Sequence, residues 1–324
     1  MNKPLALFLD KASLSPDDLD FSELDKVADW QWFDNAKISD VKRSLDKAEI
    51  IVSNKVVIDA EVINNCQQLK LICVAATGVN NVDVEYARQR GISVCNVRAY
   101  ATSPVVQHVF SLILSLNGHL ETYQESVAKG RWSSSEFFCQ FETPINELEG
   151  KTIGIIGYGE LGQAVAKVAR CFGMNVLVAN SYRATNVSDG DSTEKRVSVS
   201  ELLTTADIVS LHCPLTETNR NMIAADEFLL MKNDAILINT ARGGLVDEFA
   251  LLTALKEKQI GAAGLDVLEQ EPPSINHPLI KYHADNLIIT PHIAWASKQA
   301  RQRLIVELEK NILAYLQGQS RNIV

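Results

Sequence analysis

Short apolar runs that end in polar residues recur from the start of the chain. LALFLD (Leu5–Asp10), AEIIVSN (Ala48–Asn54), LKLICVAATG (Leu69–Gly78) and ISVCN (Ile92–Asn96) are separated by helix-compatible stretches such as EVINNCQQ and NVDVEYARQRG. Nearly continuous apolar strands alternating with helices predict a parallel sheet covered on both faces. The stretch before Thr102 therefore reads as one small α/β unit.

The texture changes at Thr102. Ser103 is suited to cap a helix, Pro104 to its first turn, and VVQHVFSLILSL follows. This helix is apolar on nearly every side, which predicts burial between elements. Gly118 to Gly150 is polar, aromatic and short of strand signals; it reads either as an arm for subunit contact or as a surface loop anchored by Trp132. From Lys151 a second α/β series begins: TIGII, NVLVA, DIVSLH, AILIN, AAGLDV and NLIIT, with helical patterns between them. KQARQRLIVELEKNILAYLQG closes the chain as an amphipathic helix expected to return to the first domain. The predicted division is residues 1–101 plus 297–324 in one domain and 102–296 in the other.

Composition narrows the function. A length of 324 residues suits two domains, and 46% apolar residues supply both cores. Lys plus Arg number 31 against 40 Asp plus Glu, a net charge of −9 with no basic block. That argues against nucleic acid or an anionic membrane as partner. Six scattered cysteines without a CxxC predict a reduced compartment. The first apolar run, broken by Asp10, is too short for a secretion signal. A cytoplasmic, soluble protein is expected. No pair of histidines has metal-ligand spacing beside an acid or thiol, so no metal is expected.

IGIIGYGELGQAVAKVARCFG carries GxGxxG at Gly157, Gly159 and Gly162, after an apolar strand and before a helix. In that context the first glycine makes the tight turn, the second admits a pyrophosphate, and the third lets helix and strand pack closely. The helix N-terminus then faces the phosphates. The intervening Tyr158, Glu160 and Leu161 belong to the same turn. The next strand should deliver an acid to the ribose hydroxyls, but VLVANSYR puts Asn180 there, followed by Ser181 and Arg183. No carboxylate repels a 2′-phosphate and Arg183 is able to pair with one, so NAD(P) is expected with a slight lean to NADP(H).

NTARGGLVD follows the strand AILIN and places Arg242 just beyond its carboxyl end, where ligands bind in such sheets. A guanidinium fork fits a substrate carboxylate. A plain surface arginine here would face the positive end of the following helix. Two further strand ends carry chemistry: GLDVLEQEPPS with Asp266 and Glu271, and LIITPHIAWAS with His292. Hydride transfer at a carbinol carbon requires a proton to join or leave its oxygen, and histidine serves both directions. A carboxylate on the far nitrogen fixes the tautomer and stabilises the imidazolium; Glu271, held before two prolines, suits that place. Taken singly, His292 also admits a reading as a structural strand-end residue, and Glu271 one as a solvated loop acid. His212, Cys213 and Pro214 in SLHCPLT, and Thr240 and Ala241 before Arg242, line the cofactor side. His108, in the apolar helix, reads as a satisfied core or hinge residue.

Together GYGELG, SLHCPLT, NTARGGLVDE, GLDVLEQEPP and PHIAWAS resemble the D-isomer-specific 2-hydroxyacid dehydrogenases in order and spacing. YATSPVVQHVF and Trp295 in PHIAWAS are similar to the glycerate dehydrogenase or hydroxypyruvate reductase branch. The resemblance implies two Rossmann-like domains, a doubly wound nucleotide-binding domain inserted into a smaller flavodoxin-like substrate domain. It implies Arg242 as carboxylate binder, His292 as acid/base, Glu271 as its partner, and Asp266 near the nicotinamide. VAATGVNNVD matches the family's substrate loop, where the N–H groups around Gly78 and Val79 receive the carboxylate. Asn54 and Trp295 are expected on the substrate side as well. The implied reaction is hydroxypyruvate/D-glycerate or glyoxylate/glycolate interconversion by a homodimer joined through the nucleotide-binding domains. A lactate-like or phosphoglycerate-like substrate is the near alternative, and a nucleotide-sensing corepressor-like protein the distant one.

Overall fold

The structure is a computed structural model that describes residues 3–180 and 196–324. It divides into two compact units, Met1–Ala101 with Trp295–Val324, and Thr102–Ala294. Trp295 and Ala296 thus belong to the first unit, whereas the sequence division at 296/297 assigned them to the second.

In the first unit the strands are β1 (Leu5–Phe8), β2 (Asp29–Trp32), β3 (Ile50–Ser53), β4 (Leu71–Val74) and β5 (Ser93–Cys95). They form a parallel sheet in the order β2-β1-β3-β4-β5, the flavodoxin-like arrangement. Both faces are covered, and the period-two alternation of a strand sorts the residues between them. Ala6, Phe8, Ile50, Val52, Leu71 and Cys73 share one core with Leu304, Ile305, Leu308 and Ile312 from the far end of the chain. Leu7, Leu9, Ile51, Ile72 and Val74 share the other with helices α2 (Ile38–Leu45), α3 (Ala60–Asn64) and α4 (Val84–Gln89); the short α1 (Leu24–Val27) lies on the first face. β2, reading DWQW, was not anticipated. It is an edge strand whose exposure alternates, with Trp30 and Trp32 stacked at 4.7 Å.

The second unit opens with α5 (Thr102–Asn117) and α6 (Leu120–Ala128). The α5 helix begins one residue before Ser103, which therefore lies inside the first turn instead of capping it; the Thr102 hydroxyl donates to Glu160. The apolar α5 is buried as expected, packed on β10 (Ile236–Asn239), β11 (Ala262–Leu265) and α7 (Glu160–Cys171). With β6 (Thr152–Ile156), β7 (Asn175–Ala179), β8 (Arg196–Val197), β9 (Ile208–Leu211) and β12 (Leu287–Ile289) the strands make a parallel sheet in the order β12-β11-β10-β9-β6-β7-β8. The chain starts at β6 in mid-sheet, runs out to β8 and restarts at β9, so the order reverses between β6 and β9. Ligands bind at the carboxyl ends beside such a reversal. α8 (Val199–Thr205), α9 (Ala225–Leu230) and α10 (Glu248–Lys256) cover the sheet, and α11 (Lys298–Leu316) belongs to the first unit. After α6 the segment to Gly150 has no helix or strand, and Phe137, Phe138 and Phe141 are 74%, 92% and 80% exposed. Within this segment the Trp132 indole donates to the Phe138 carbonyl at 3.0 Å. Among the described residues no helix is long and apolar enough to cross a membrane, and no cluster of metal-ligating side chains occurs.

Candidate active site

The turn after β6 is shaped by its glycines. Gly157 has φ +98°, and a Cβ on it would lie 2.5 Å from the Cys213 nitrogen and 2.6 Å from the His212 carbonyl carbon. The loop after β9 therefore presses directly on the turn. A Cβ on Gly162 would meet the Gly157 carbonyl oxygen at 2.1 Å, so α7 sits tight against the strand. Around Gly159 there is open space within 4 Å, the room a pyrophosphate requires. Gly159 is also the N-cap of α7 and supplies no side chain, leaving the helix's first N–H groups to a ligand.

Two buried polar atoms near these strand ends lack a partner: His212 Nδ1 and Thr240 Oγ1. His212 bonds Ser210 through Nε2 at 2.8 Å, and burial pushes its pKa down to about 4, so the ring is neutral near pH 7. Orphaned buried groups of this kind call for an absent partner. With the glycine turn they fit a bound dinucleotide. Burial raises the Cys213 thiol, Pro214 accepts from Asn219 Nδ2 at 2.8 Å, and Ala241 donates to Asn239 Oδ1 at 3.0 Å. Leu161 is half-buried in the first turn of α7. The Glu160 carboxylate accepts from the Thr102 hydroxyl, and its backbone stands in the first turn of α7. Asn180 is exposed at the end of β7. Beside it on β8 lies Arg196, whose guanidinium is 5.8 Å from the Tyr158 ring centre; sequence reasoning passed over it. Ser181 and Arg183 lie outside the described residues.

Arg242 follows β10 directly. Asn239 clamps the turn through Ala241 N–H and, from Nδ2, the Arg242 carbonyl at 2.9 Å. The guanidinium donates from Nη1 to the Ala241 carbonyl at 2.6 Å, which orients the fork. A Cβ on Gly243 would lie 1.9 Å from the Leu268 carbonyl carbon, so the Arg242 turn and the Glu271 loop are in backbone contact. That explains the glycine after the arginine. Glu271 is held from two sides: Leu268 N–H donates to Oε1 at 3.0 Å, and Oε2 lies 2.6 Å from His292 Nδ1.

His292 adopts φ +56°, a left-handed conformation that L-residues adopt at a cost. Asp266 maintains it. β11 and β12 pair in register through Leu265 and Ile289, which sets the two strand ends side by side. The Asp266 carbonyl accepts from His292 N–H at 2.8 Å, and its carboxylate accepts from Ile293 N–H at 2.9 Å and Ala294 N–H at 2.8 Å. The Thr290 hydroxyl donates to the same carboxylate at 2.6 Å. Its proton being so used, Thr290 Oγ1 accepts from His108 Nε2 at 2.9 Å, which fixes the His108 tautomer. His108 thus belongs to the network under the His292 loop. Its sequence signal, one histidine in an apolar helix, does not separate that role from core packing.

In the first unit, the N–H groups of Gly78 and Val79 have no acceptor among the described residues. The loop is fixed around them by Asn96 Nδ2 donating to the Thr77 carbonyl at 2.6 Å and Asn81 Nδ2 donating to the Val56 carbonyl at 3.1 Å. Asn54 is 4% exposed and donates its amide to Ser13 at 3.0 Å. Its backbone N–H donates to Asp10 Oδ1 at 2.9 Å, which ties the ends of β1 and β3 together. Trp295 packs edge-on to Tyr100 at 6.2 Å.

The model of the D-isomer specific 2-hydroxyacid dehydrogenase NAD binding domain matches residues 110–294. The chain is 44% identical to a glycerate dehydrogenase of Methylorubrum extorquens over 285 residues, 88% of each chain. It is 36% identical to a hydroxypyruvate reductase of Blautia hydrogenotrophica, covering 98% of both. Among solved structures, an acyclic imino acid reductase in complex with NADPH and D-Arg is similar over 99% of each chain, with a TM-score of 0.86 and 31% identity.

Proposed function

Because the chain belongs to the D-isomer specific 2-hydroxyacid dehydrogenase family, and is an enzyme of hydride transfer between a nicotinamide cofactor and a 2-hydroxy acid, we propose that it interconverts hydroxypyruvate and D-glycerate, with glyoxylate and glycolate as the second pair. The observation that carries the catalytic reading is the 2.6 Å pair of His292 Nδ1 and Glu271 Oε2, beside the Arg242 turn. When bound, the cofactor supplies or accepts the hydride. Arg242 holds the substrate carboxylate and helps polarise the neighbouring carbonyl. With Nδ1 engaged by Glu271, His292 Nε2 is the atom that gives the proton to the carbonyl oxygen in reduction and removes it in oxidation. Glu271 orients the ring through Nδ1, and Asp266 positions its backbone.

NADP(H) is the preferred cofactor in this reading. Asn180 presents no charge to a 2′-phosphate, Arg196 lies on the adjoining strand, and a structural relative holds NADPH. Homodimerisation through the nucleotide-binding unit is supported by the exposed phenylalanines between Gly118 and Gly150, since apolar patches of that kind mark contact surfaces; sedimentation as a monomer would refute it. Steady-state reduction of hydroxypyruvate, glyoxylate and pyruvate, each with NADH and NADPH, tests substrate and cofactor together. Hydroxypyruvate with NADPH should give the highest kcat/KM, and Asn180→Asp should shift preference to NADH by repelling the phosphate and accepting from the ribose. Absence of turnover with all three acids would favour a nucleotide-sensing role. A pyruvate optimum would point to a lactate-like substrate.

A further inference from the structure

A cavity of about 840 Å³ opens on the first unit, and none of its lining residues is among those assigned to hydride transfer. One wall is a stripe of α11, where Lys298, Val306 and Lys310 recur at multiples of four and share a helix face with Arg303. The other wall comes from Arg98–Tyr100 and from Arg321 near the end of the chain. Arg98, Lys298, Arg303, Lys310 and Arg321 supply five positive charges, and Glu307 is the single acid in the lining. On a chain of net charge −9 this is a local inversion of sign.

The one acid is already neutralised: Arg321 Nη2 lies 2.5 Å from Glu307 Oε2, and Lys310 Nζ lies 2.9 Å from Glu307 Oε1. Arg98, Lys298 and Arg303 have no carboxylate partner among the described residues. Some exposed cations elsewhere are paired, as in Lys26–Glu23, Lys70–Glu49 and Arg88–Glu85. Both arginines are anchored through Nε, Arg98 on Asn96 Oδ1 at 3.3 Å and Arg303 on the Tyr100 carbonyl at 3.0 Å. That leaves their Nη groups for a ligand, the fork that matches a phosphate or carboxylate.

The cavity is also built in advance. Asn311, 2% exposed, donates to the Asn96 carbonyl at 2.8 Å and accepts from Arg321 at 2.5 Å and Asn322 at 3.0 Å. One buried side chain thus locks all three segments of the lining. Between Arg98 and Tyr100, Ala99 is held at φ +57°, a strained conformation for alanine. A preformed wall lowers the ordering cost of binding. The volume lies in the range of small-molecule sites, roughly 300–1,000 Å³.

We propose that this cavity binds a small phosphorylated metabolite, its phosphate on Arg98, Lys298 and Arg303 and its organic body against Val306 and the aliphatic stems. The test uses the full chain saturated with NADPH, which occupies the glycine turn, and titrates inorganic pyrophosphate and glycerol 3-phosphate by calorimetry at about 0.15 M salt. Citrate forms a parallel arm that separates phosphate from carboxylate recognition. One saturable site is expected, weakened about tenfold or more in Arg98→Ser/Lys298→Ser, since two charge-assisted contacts are lost. The control Lys26→Ser/Arg88→Ser should bind within about twofold of the unmodified protein, because those charges are distant and paired. Val306→Trp, a neutral change at an exposed helix position, should block glycerol 3-phosphate by filling the cavity, and serves as the decisive variant if the double one does not fold. Turnover without added anion should be unchanged in all three variants. Unsaturated binding up to about 10 mM, equal affinity in the Ser/Ser and Trp variants, tighter binding of citrate than of either phosphate, or competition with NADPH would each overturn the proposal.

Discussion

Asp266→Asn is the most informative single change, because the structure specifies what each oxygen does. The carboxylate is 1% exposed; Oδ1 accepts from Thr290 and Ile293, and Oδ2 from Ala294. Asparagine keeps the size but must put an NH2 in one of those two places. Facing Ala294, it opposes a backbone N–H at 2.8 Å. Facing the other way, it opposes the Ile293 N–H at 2.9 Å and the Thr290 hydroxyl. The first arrangement leaves fewer donors stranded. It orphans one buried N–H, about 1–3 kcal/mol, and removes the charge assistance from two further bonds, about 1 kcal/mol each. Relief of the buried carboxylate's desolvation offsets part of this, so a net loss of about 2–4 kcal/mol is expected out of roughly 5–15 kcal/mol in total. The same change frees residues 293 and 294, and His292 is then able to leave φ +56° and carry its ring away from Glu271. A displacement of about 1 Å at an acid/base costs on the order of 10²-fold in rate. Urea unfolding, dinucleotide binding by fluorescence and kcat for keto-acid reduction measure the three consequences separately. Dinucleotide affinity should hold. Stability within about 1 kcal/mol of the unmodified protein, with turnover within about threefold, would refute the role of Asp266 in holding the loop.

Arg242→Ala should leave dinucleotide affinity nearly intact and lower kcat/KM for 2-keto acids by about 10²-fold or more, through loss of a charged two-point contact; a change below about threefold would remove Arg242 from substrate binding. Glu271→Gln keeps the side-chain length but removes the carboxylate that lies 2.6 Å from His292 Nδ1. Keto-acid reduction should lose about tenfold or more in kcat while dinucleotide affinity holds. A kcat within about twofold of the unmodified protein would leave Glu271 as a loop acid. For His212, whose pKa falls to about 4 from 6.5, the unfolded chain takes up a proton that the native state refuses. Stability from this group is therefore complete above about pH 6.5 and declines as pH falls toward 4, by at most about 3 kcal/mol and by less for a residue only part-buried. Urea midpoints between pH 7 and 4.5 should flatten in His212→Gln; an unchanged slope would assign the acid sensitivity to other groups.

The strands read correctly from sequence are those buried on both faces, such as IIVS and LICV, where no polar position interrupts the apolar run. DWQW was passed over because an edge strand with one solvated face carries too few apolar positions, and Arg196–Val197 is too short for any periodicity. At the site, Arg242 and His292 were legible because each follows a strand end with chemistry that a buried terminus does not need, and Glu271 because two prolines follow it in the loop after β11. The support beneath them was not. Asp266 meets the His292 loop only through the pairing of β11 with β12, and His108 arrives from a helix 182 residues from Thr290 in sequence. The basic cavity was hidden for the same reason, since its walls come from three separate segments.

The first unit borrows its closing helix from the other end of the chain. Ala300, Leu304, Ile305, Leu308 and Ile312 cover Phe8, Val52 and Leu71 in one core, yet they are translated only after the whole second unit. As the chain leaves the ribosome, the five-stranded sheet must wait with one face bare while the nucleotide-binding unit is completed behind it. The part made first is thus finished last. Nascent chains halted after Ala294 should already bind the dinucleotide while their residues before Thr102 remain open to protease, and protection of both regions at that stage would show that the sheet does not depend on α11.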